Sequence, residues 1–236
     1  MEVEIQNGMT RAIIDSHGAW LTNLSDDDGD IFFPRRKLTT TDGLVKERGG
    51  CHVCVPNFGP GGTSEQPQHG FARVMDWEMT DKTESSVLFA LKEGEGEYRD
   101  MTSIVAYQLG ENRLVMTLEL TNNGLADLRA APAFHPYFAL RDEEEIKIDE
   151  VSERLNDLNE VQFFKGNEHM IQTQGRHFAV VSDELTTWAT WTDRLGRYVC
   201  VEPSLGGFTF LNEVPSQDEI LAPNESKTYT VSITWG

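Results

Sequence analysis

Apolar and polar residues alternate along most of this chain in short runs, with Gly, Asn and Asp between them. Alternation with a period of two is the pattern of a strand with one buried and one exposed face. It predicts strands over residues 9–14, 77–80, 86–91, 104–109, 113–121 and 129–140, and again over 187–192, 198–202, 208–211 and 228–235. These runs are rich in Val, Thr, Phe, Tyr and Trp, which suit a pleated, half-buried surface. Leu109-Gly110-Glu111-Asn112 lies between two alternating runs and predicts a hairpin turn. Helical periodicity is nearly absent; only 141–145 and 151–160 leave a short helix open beside a solvated loop. Many strands without a strand–helix–strand rhythm predict an all-β fold, a large antiparallel sandwich or barrel. No repeat and no linker divides the chain, so a single domain over 1–236 is expected.

Two segments break the pattern. Residues 39–68 hold Gly43, Gly49, Gly50, Gly59, Gly61 and Gly62 with Pro56, Pro60 and Pro67, and predict a long irregular loop. Such loops in compact domains tend to carry function. This one ends at Gln68-His69-Gly70-Phe71-Ala72-Arg73, where a strand pattern resumes. The second, Asp26-Asp27-Asp28-Gly29-Asp30, has the look of a calcium loop but lacks the closing Glu and flanking helices of an EF-hand. It is read as a solvated turn.

Charge narrows the partners. The chain of 236 residues carries 39 acidic against 20 basic side chains, a formal charge of −19. Such a surface repels phosphate backbones and anionic lipid, so neither nucleic acid nor membrane is an expected partner. An anionic small ligand would need a local basic pocket. No apolar run approaches the length of a membrane span, and Met1 to Gln6 alternate without a signal-like apolar stretch. With Cys51, Cys54 and Cys200 too few for a disulfide framework, a reducing cytoplasm is expected. A monomer is the default, since no association motif stands out.

Four features bear on chemistry. Cys51-His52-Val53-Cys54 has C-x-x-C spacing, but no second pair exists and alternation sends the two cysteines to opposite faces, so they read as structural. His69 sits in the loop–strand junction. His135 in Ala-Phe-His-Pro-Tyr-Phe places a titratable ring among aromatics, followed by a ladder-breaking Pro. Glu202 ends the apolar run Tyr-Val-Cys-Val-Glu-Pro. Each alone has a bland explanation: a loop residue, a hydrogen-bonded core histidine, a solvated strand end. Together, two histidines and a carboxylate from three distant segments make the inventory of a general acid–base site. His17, His52, His169 and His177 sit in less specific surroundings and receive no role.

At these residues the chain resembles the aldose 1-epimerase (mutarotase) superfamily, most closely its hexose-6-phosphate mutarotase, or glucose-6-phosphate 1-epimerase, branch. The shared motifs are Arg48-Gly49-Gly50, Cys54-Val55-Pro56-Asn57-Phe58-Gly59, Pro67-Gln68-His69-Gly70-Phe71-Ala72-Arg73 with Trp77-Glu78, His135-Pro136-Tyr137-Phe138 and Val199-Cys200-Val201-Glu202-Pro203. Leu221-Ala222-Pro223-Asn224-Glu225-Ser226 resembles the turn before the family's last strand. The resemblance implies a β supersandwich with a sugar on a concave sheet face. It implies Glu202 as the base on the anomeric hydroxyl, His135 as the acid on the ring oxygen, and His69 as a second histidine near that oxygen. It implies Arg48 and Arg73 as phosphate contacts, Gln68 as a further substrate contact, and no metal, nucleotide or redox cofactor. A carboxylate beside His135 is expected to favour its imidazolium form.

The chain departs from the family pattern at His52, where relatives usually carry Pro, and at Asn57, where Gln is common. The family's Asp-Arg-x-aromatic element, which contacts sugar hydroxyls, has Gly175-Arg176-His177-Phe178 as its nearest counterpart, with glycine in the Asp position. A non-catalytic sugar-binding protein on the same fold is the main alternative, although such a site has no use for a matched acid and base. A cupin-type metal enzyme using His69, His135 and Glu202 lacks the usual His-x-His pair. Glycoside cleavage calls for paired carboxylates, and only Glu202 stands out.

Overall fold

The computed structural model describes residues 1–236. It contains no α-helix, only strands and five short 3₁₀ turns. Two sheets of nine strands each form the sandwich. The first runs Glu2–Asn7, Thr10–Asp15, Trp20–Asp26, Gly29–Phe32, Ala133–Ala139, Tyr198–Ser204, Thr187–Trp191, Gln162–Lys165, with Cys51–Cys54 paired to both Ala133–Ala139 and Trp20–Asp26. The second runs Val151–Arg154, Glu145–Ile148, Glu168–Gln172, His177–Val181, Ser226–Trp235, Arg113–Asn122, Met101–Gly110, Ser86–Leu91, Glu78–Lys82. Neighbouring strands within both sheets are antiparallel.

A single cluster of 47 buried apolar residues fills the space between the sheets. Strand alternation decides what the other face carries. In Ala133–Ala139, Phe134 and Phe138 enter this core, so His135 and Tyr137 point away from it. In Tyr198–Ser204, Val199 and Val201 enter, leaving Cys200 and Glu202 outward. In Cys51–Cys54, Cys51 and Val53 enter, leaving His52 and Cys54 outward. Three adjacent strands thus present titratable side chains on one face, and all are still buried because loops cover that face. The sheets are also stitched by a hydrogen bond that Tyr107 Oη donates to the Ala19 carbonyl at 2.7 Å.

Several expected strands appear within a residue or two of their bounds, and the 109–112 turn joins Met101–Gly110 to Arg113–Asn122. Three expectations need correction. The run 129–140 is interrupted: Leu128–Arg129 pairs with Ile220–Leu221, and Ala133–Ala139 is a separate strand beyond Pro132. Residues 208–211 form a 3₁₀ turn, Thr209–Leu211, not a strand, because Gly206-Gly207 turn the chain and Arg129 gathers the carbonyls of Thr209 and Asn212. The supposed irregular stretch 39–68 contains Val45–Arg48, hairpin-paired with Arg36–Thr39, and the buried strand Cys51–Cys54. Its glycines masked both. The aspartates at 26–28 lie at a hairpin turn between Trp20–Asp26 and Gly29–Phe32, with the Asp26 carboxylate held by Arg176.

Candidate active site

Register brings the acid–base candidates together. Ala133 lies opposite Ser204 and Tyr137 opposite Cys200, so His135 faces Glu202 between them. Pro136 and Pro203 lack the N–H that a continuous ladder would need there. On the other side His135 lies opposite His52. His135 Nε2 and Glu202 Oε2 are 3.2 Å apart, with both side chains nearly inaccessible to solvent. The ring N–H is not aimed at the oxygen, however: Glu202 Oε2 and His135 Nδ1 both lack a hydrogen-bond partner. Buried polar atoms are nearly always paired, so a partnerless atom on each of two neighbouring side chains sets this pair apart from an ordinary core contact.

These side chains floor a cavity of about 230 Å³ that is also lined by Arg48, Gln68, His69, Arg73 and the aromatic rings of Phe58, Tyr137, Trp191 and Phe208. Every catalytic and binding residue expected from the sequence lies on it. His135 stacks flat on Tyr137, with centroids 4.7 Å apart, which fixes its ring plane.

His69 is delivered by the loop after Cys51–Cys54. Its φ is +66°, and its Nδ1 accepts the backbone N–H of Gly59 at 3.3 Å. A backbone amide can only donate, so the neutral ring carries its proton on Nε2, the other nitrogen. The loop is tied shut by Asn57, whose Nδ2 donates to the carbonyls of Gly59 and Pro67. Gly70, at φ +70°, lies so close to Val55 that an added Cβ would sit 1.9 Å from its carbonyl oxygen. Gly70→Ala is therefore expected to cost about 2 kcal/mol or more and to displace His69. Urea unfolding of the purified variant checks this; a midpoint equal to wild type would refute the tight contact.

Arg48 is positioned by the two glycines that follow it. The Gly50 N–H donates to Phe33 O at 2.6 Å, and Gly50 O accepts the Tyr137 N–H at 2.9 Å. A Cβ on Gly50 would meet Leu21 O at 2.0 Å. Arg48 Nε binds Asp193 at 3.0 Å, and its guanidinium lies over Trp191. Arg73 rides on the 3₁₀ turn Ala72–Val74, anchored by buried Phe71 and Ala72. Unlike Arg48, it takes part in no ion pair. It is a free cation on the wall of a cavity in a strongly acidic protein.

Burial governs the protonation of the floor. It pushes the Glu202 carboxyl well above its usual range. Burial first, then the charges of His52, His69, Arg73 and Arg48, pushes His135 well below its own. His69 is lowered to about 3 by burial, Arg73 and Arg48. The expected imidazolium at His135 is thus corrected in direction: burial disfavours the charged form of both partners. The floor is biased towards a protonated Glu202 beside a neutral His135.

Two residues escaped the sequence reading. His52 is buried with its ring 4.8 Å from His135 and 4.4 Å from Trp20, and so forms the back wall of the floor. Its signal was the alternation already used to separate Cys51 from Cys54. Asp193 receives Arg48 and the hydroxyl of Tyr198; nothing local in the sequence marks it. Conversely, Gly175 and Arg176 line a different cavity, and Arg176 forms a buried pair with Asp26. That segment does not reach the cavity floored by His135.

A family model described as Aldose 1-epimerase matches residues 1–193. A curated protein from Salmonella typhimurium, provisionally named a glucose-6-phosphate 1-epimerase, is 27% identical over 121 residues, covering 48% of this chain and 40% of the relative. One of the same provisional name from Escherichia coli K12 is 25% identical over 158 residues, covering 59% of this chain and 52% of the relative. The matches thus span about half the length of these relatives or less. A solved structure described as a galactose mutarotase related enzyme from Lactobacillus acidophilus is 20% identical, with a TM-score of 0.79 over 100% of this chain and 97% of that one. That likeness bears on the fold.

Proposed function

The chain belongs to the aldose 1-epimerase family, and from that premise we propose that it is a mutarotase interconverting the α and β anomers of a hexose 6-phosphate. The observation that carries this reading is the pair of partnerless atoms, Glu202 Oε2 and His135 Nδ1, on neighbouring side chains at the floor of one cavity. Hemiacetal opening moves two protons at once. Glu202 takes the proton from O1 as the C1–O1 bond becomes a carbonyl; the C1–O5 bond breaks, and O5 takes a proton from His135. Rotation about C1–C2 and the reverse transfers close the other anomer. Nε2–H of His69 donates a hydrogen bond on the same side.

The chemistry needs one mobile proton. Neutral Glu202 with neutral His135 carries the same number of protons as carboxylate with imidazolium. The first pairing is what ring closure requires and the second what opening requires. Passing between them costs no exchange with water. Burial biases the resting site towards the closing form, and sugar hydroxyls that hydrogen-bond Glu202 would draw it towards the opening form.

The phosphate is assigned to Arg73 and Arg48. Guanidinium forks suit phosphate oxygens, and Arg73 has no carboxylate of its own. The provisional names of the two curated relatives point the same way. NMR exchange between the anomers of glucose 6-phosphate, with free glucose and galactose alongside, tests the reading. Fast exchange of the phosphorylated sugar is expected. Equal acceleration of all three sugars would remove the phosphate assignment and keep mutarotation. Saturable binding without exchange would instead make the chain a non-catalytic sugar-binding protein.

A further inference from the structure

Beneath the cavity floor, Cys200 lies two residues before Glu202 on the same face of Tyr198–Ser204. A ring nitrogen of His135, the Sγ of Cys200 and a carboxylate oxygen of Glu202 lie within 4.8 Å of one another, and all three residues are buried. Independently of that spacing, Glu202 Oε2 and His135 Nδ1 have no partner. We propose that these three side chains form an inhibitory site for a borderline-soft divalent cation, Zn²⁺ before others, which occupies the floor of the cavity in place of the sugar.

The donor set is the argument. One imidazole, one thiolate and one carboxylate select zinc over magnesium or calcium, which prefer oxygen alone. Tetrahedral zinc at about 2.0–2.3 Å from each ligand holds its donors roughly 3.4–3.6 Å apart. With the donors within 4.8 Å of one another, each separation shortens by no more than about 1.4 Å, within reach of small rotamer adjustments. His135 and Glu202 line the cavity and Cys200 lies below them, so the fourth position opens towards the cavity, to water or to a sugar oxygen. As the metal binds, the Cys200 thiol proton and the carboxyl proton that burial favours on Glu202 both leave to solvent; the thiolate and carboxylate together balance the two charges of the ion. A buried neutral cluster is replaced by a coordinated, internally compensated one.

Metal binding stands apart from the mutarotase reading; only its inhibitory consequence rests on it. The full chain is titrated with Cd²⁺ as a spectroscopic stand-in for zinc, following the near-ultraviolet thiolate-to-metal charge-transfer band. One equivalent is expected to saturate the band, and Zn²⁺ to erase it. Cys200→Ser is expected to lose it, Cys54→Ser to keep it, and Glu202→Gln to keep the band with at least tenfold weaker affinity. Absence of the band, or its persistence in Cys200→Ser, overturns the proposal; so does its loss in Cys54→Ser alone. If Cys200→Ser does not fold, the contrast between Cys54→Ser and Glu202→Gln decides. For wild type, Zn²⁺ is expected to suppress anomer exchange and a chelator to restore it. A bound metal without suppression would reject the inhibitory role while leaving the site.

Discussion

Glu202→Gln is expected to slow anomer exchange by ~10²–10⁴-fold, the range over which a positioned proton acceptor contributes. The amide keeps the shape of the side chain and removes the group proposed to take the proton from O1. The structure also separates this loss from unfolding. Burial already biases Glu202 towards its neutral form, so an uncharged amide adds little desolvation. The thermal midpoint should therefore stay level or rise. Exchange rates from NMR line shapes or saturation transfer, taken with a melting curve, give both quantities from one preparation. A rate within about threefold of wild type would rule out Glu202 as the base.

The pH profile of wild type follows from the same pair. Below the depressed pKa of His135 the floor gains a second proton, and Glu202 cannot act as acceptor. Above the raised pKa of Glu202 the pair has lost its mobile proton, and His135 has none to spare. The opposite directions of the two shifts leave a broad plateau between the limits.

What the sequence made legible was decided by whether a signal was local. Alternation marked Tyr198–Ser204 and placed Cys51 and Cys54 on opposite faces, and the aromatic company of His135 marked it as unusual. The glycines near 49–50 and 59–62 hid the strand Cys51–Cys54, because their role is a close backbone approach set by distant residues, Leu21 and Phe208 among them. His52 was passed over for the same reason: once its strand is known, alternation alone puts it beside His135. The protonation of the floor was unreadable in principle. A carboxylate next to a histidine suggests an ion pair on paper, whereas depth of burial, a property of the whole sandwich, reverses the preference. Asp193 depends on a contact across 145 positions with Arg48.

Arg73→Ala is expected to raise KM for hexose 6-phosphate by roughly tenfold to 150-fold, the equivalent of ~1.5–3 kcal/mol for a hydrogen bond to a charged group. The rate at saturation and the kinetics with free glucose should change little. Arg73 is the cleaner probe of the two arginines. Truncating Arg48 would also release Asp193 and uncover Trp191, so a loss there would mix packing with recognition. Arg73, on the turn Ala72–Val74, has no such partner, so its removal strands no carboxylate and unstacks no ring. The same change removes one of the charges that lower His69 and His135. The acid limb of the activity profile should therefore move to higher pH, because imidazoles no longer repelled by Arg73 gain protons earlier as pH falls. An acid limb that moves without any rise in KM for the phosphorylated sugar would mean that Arg73 acts only through its field, and that the phosphate lies elsewhere.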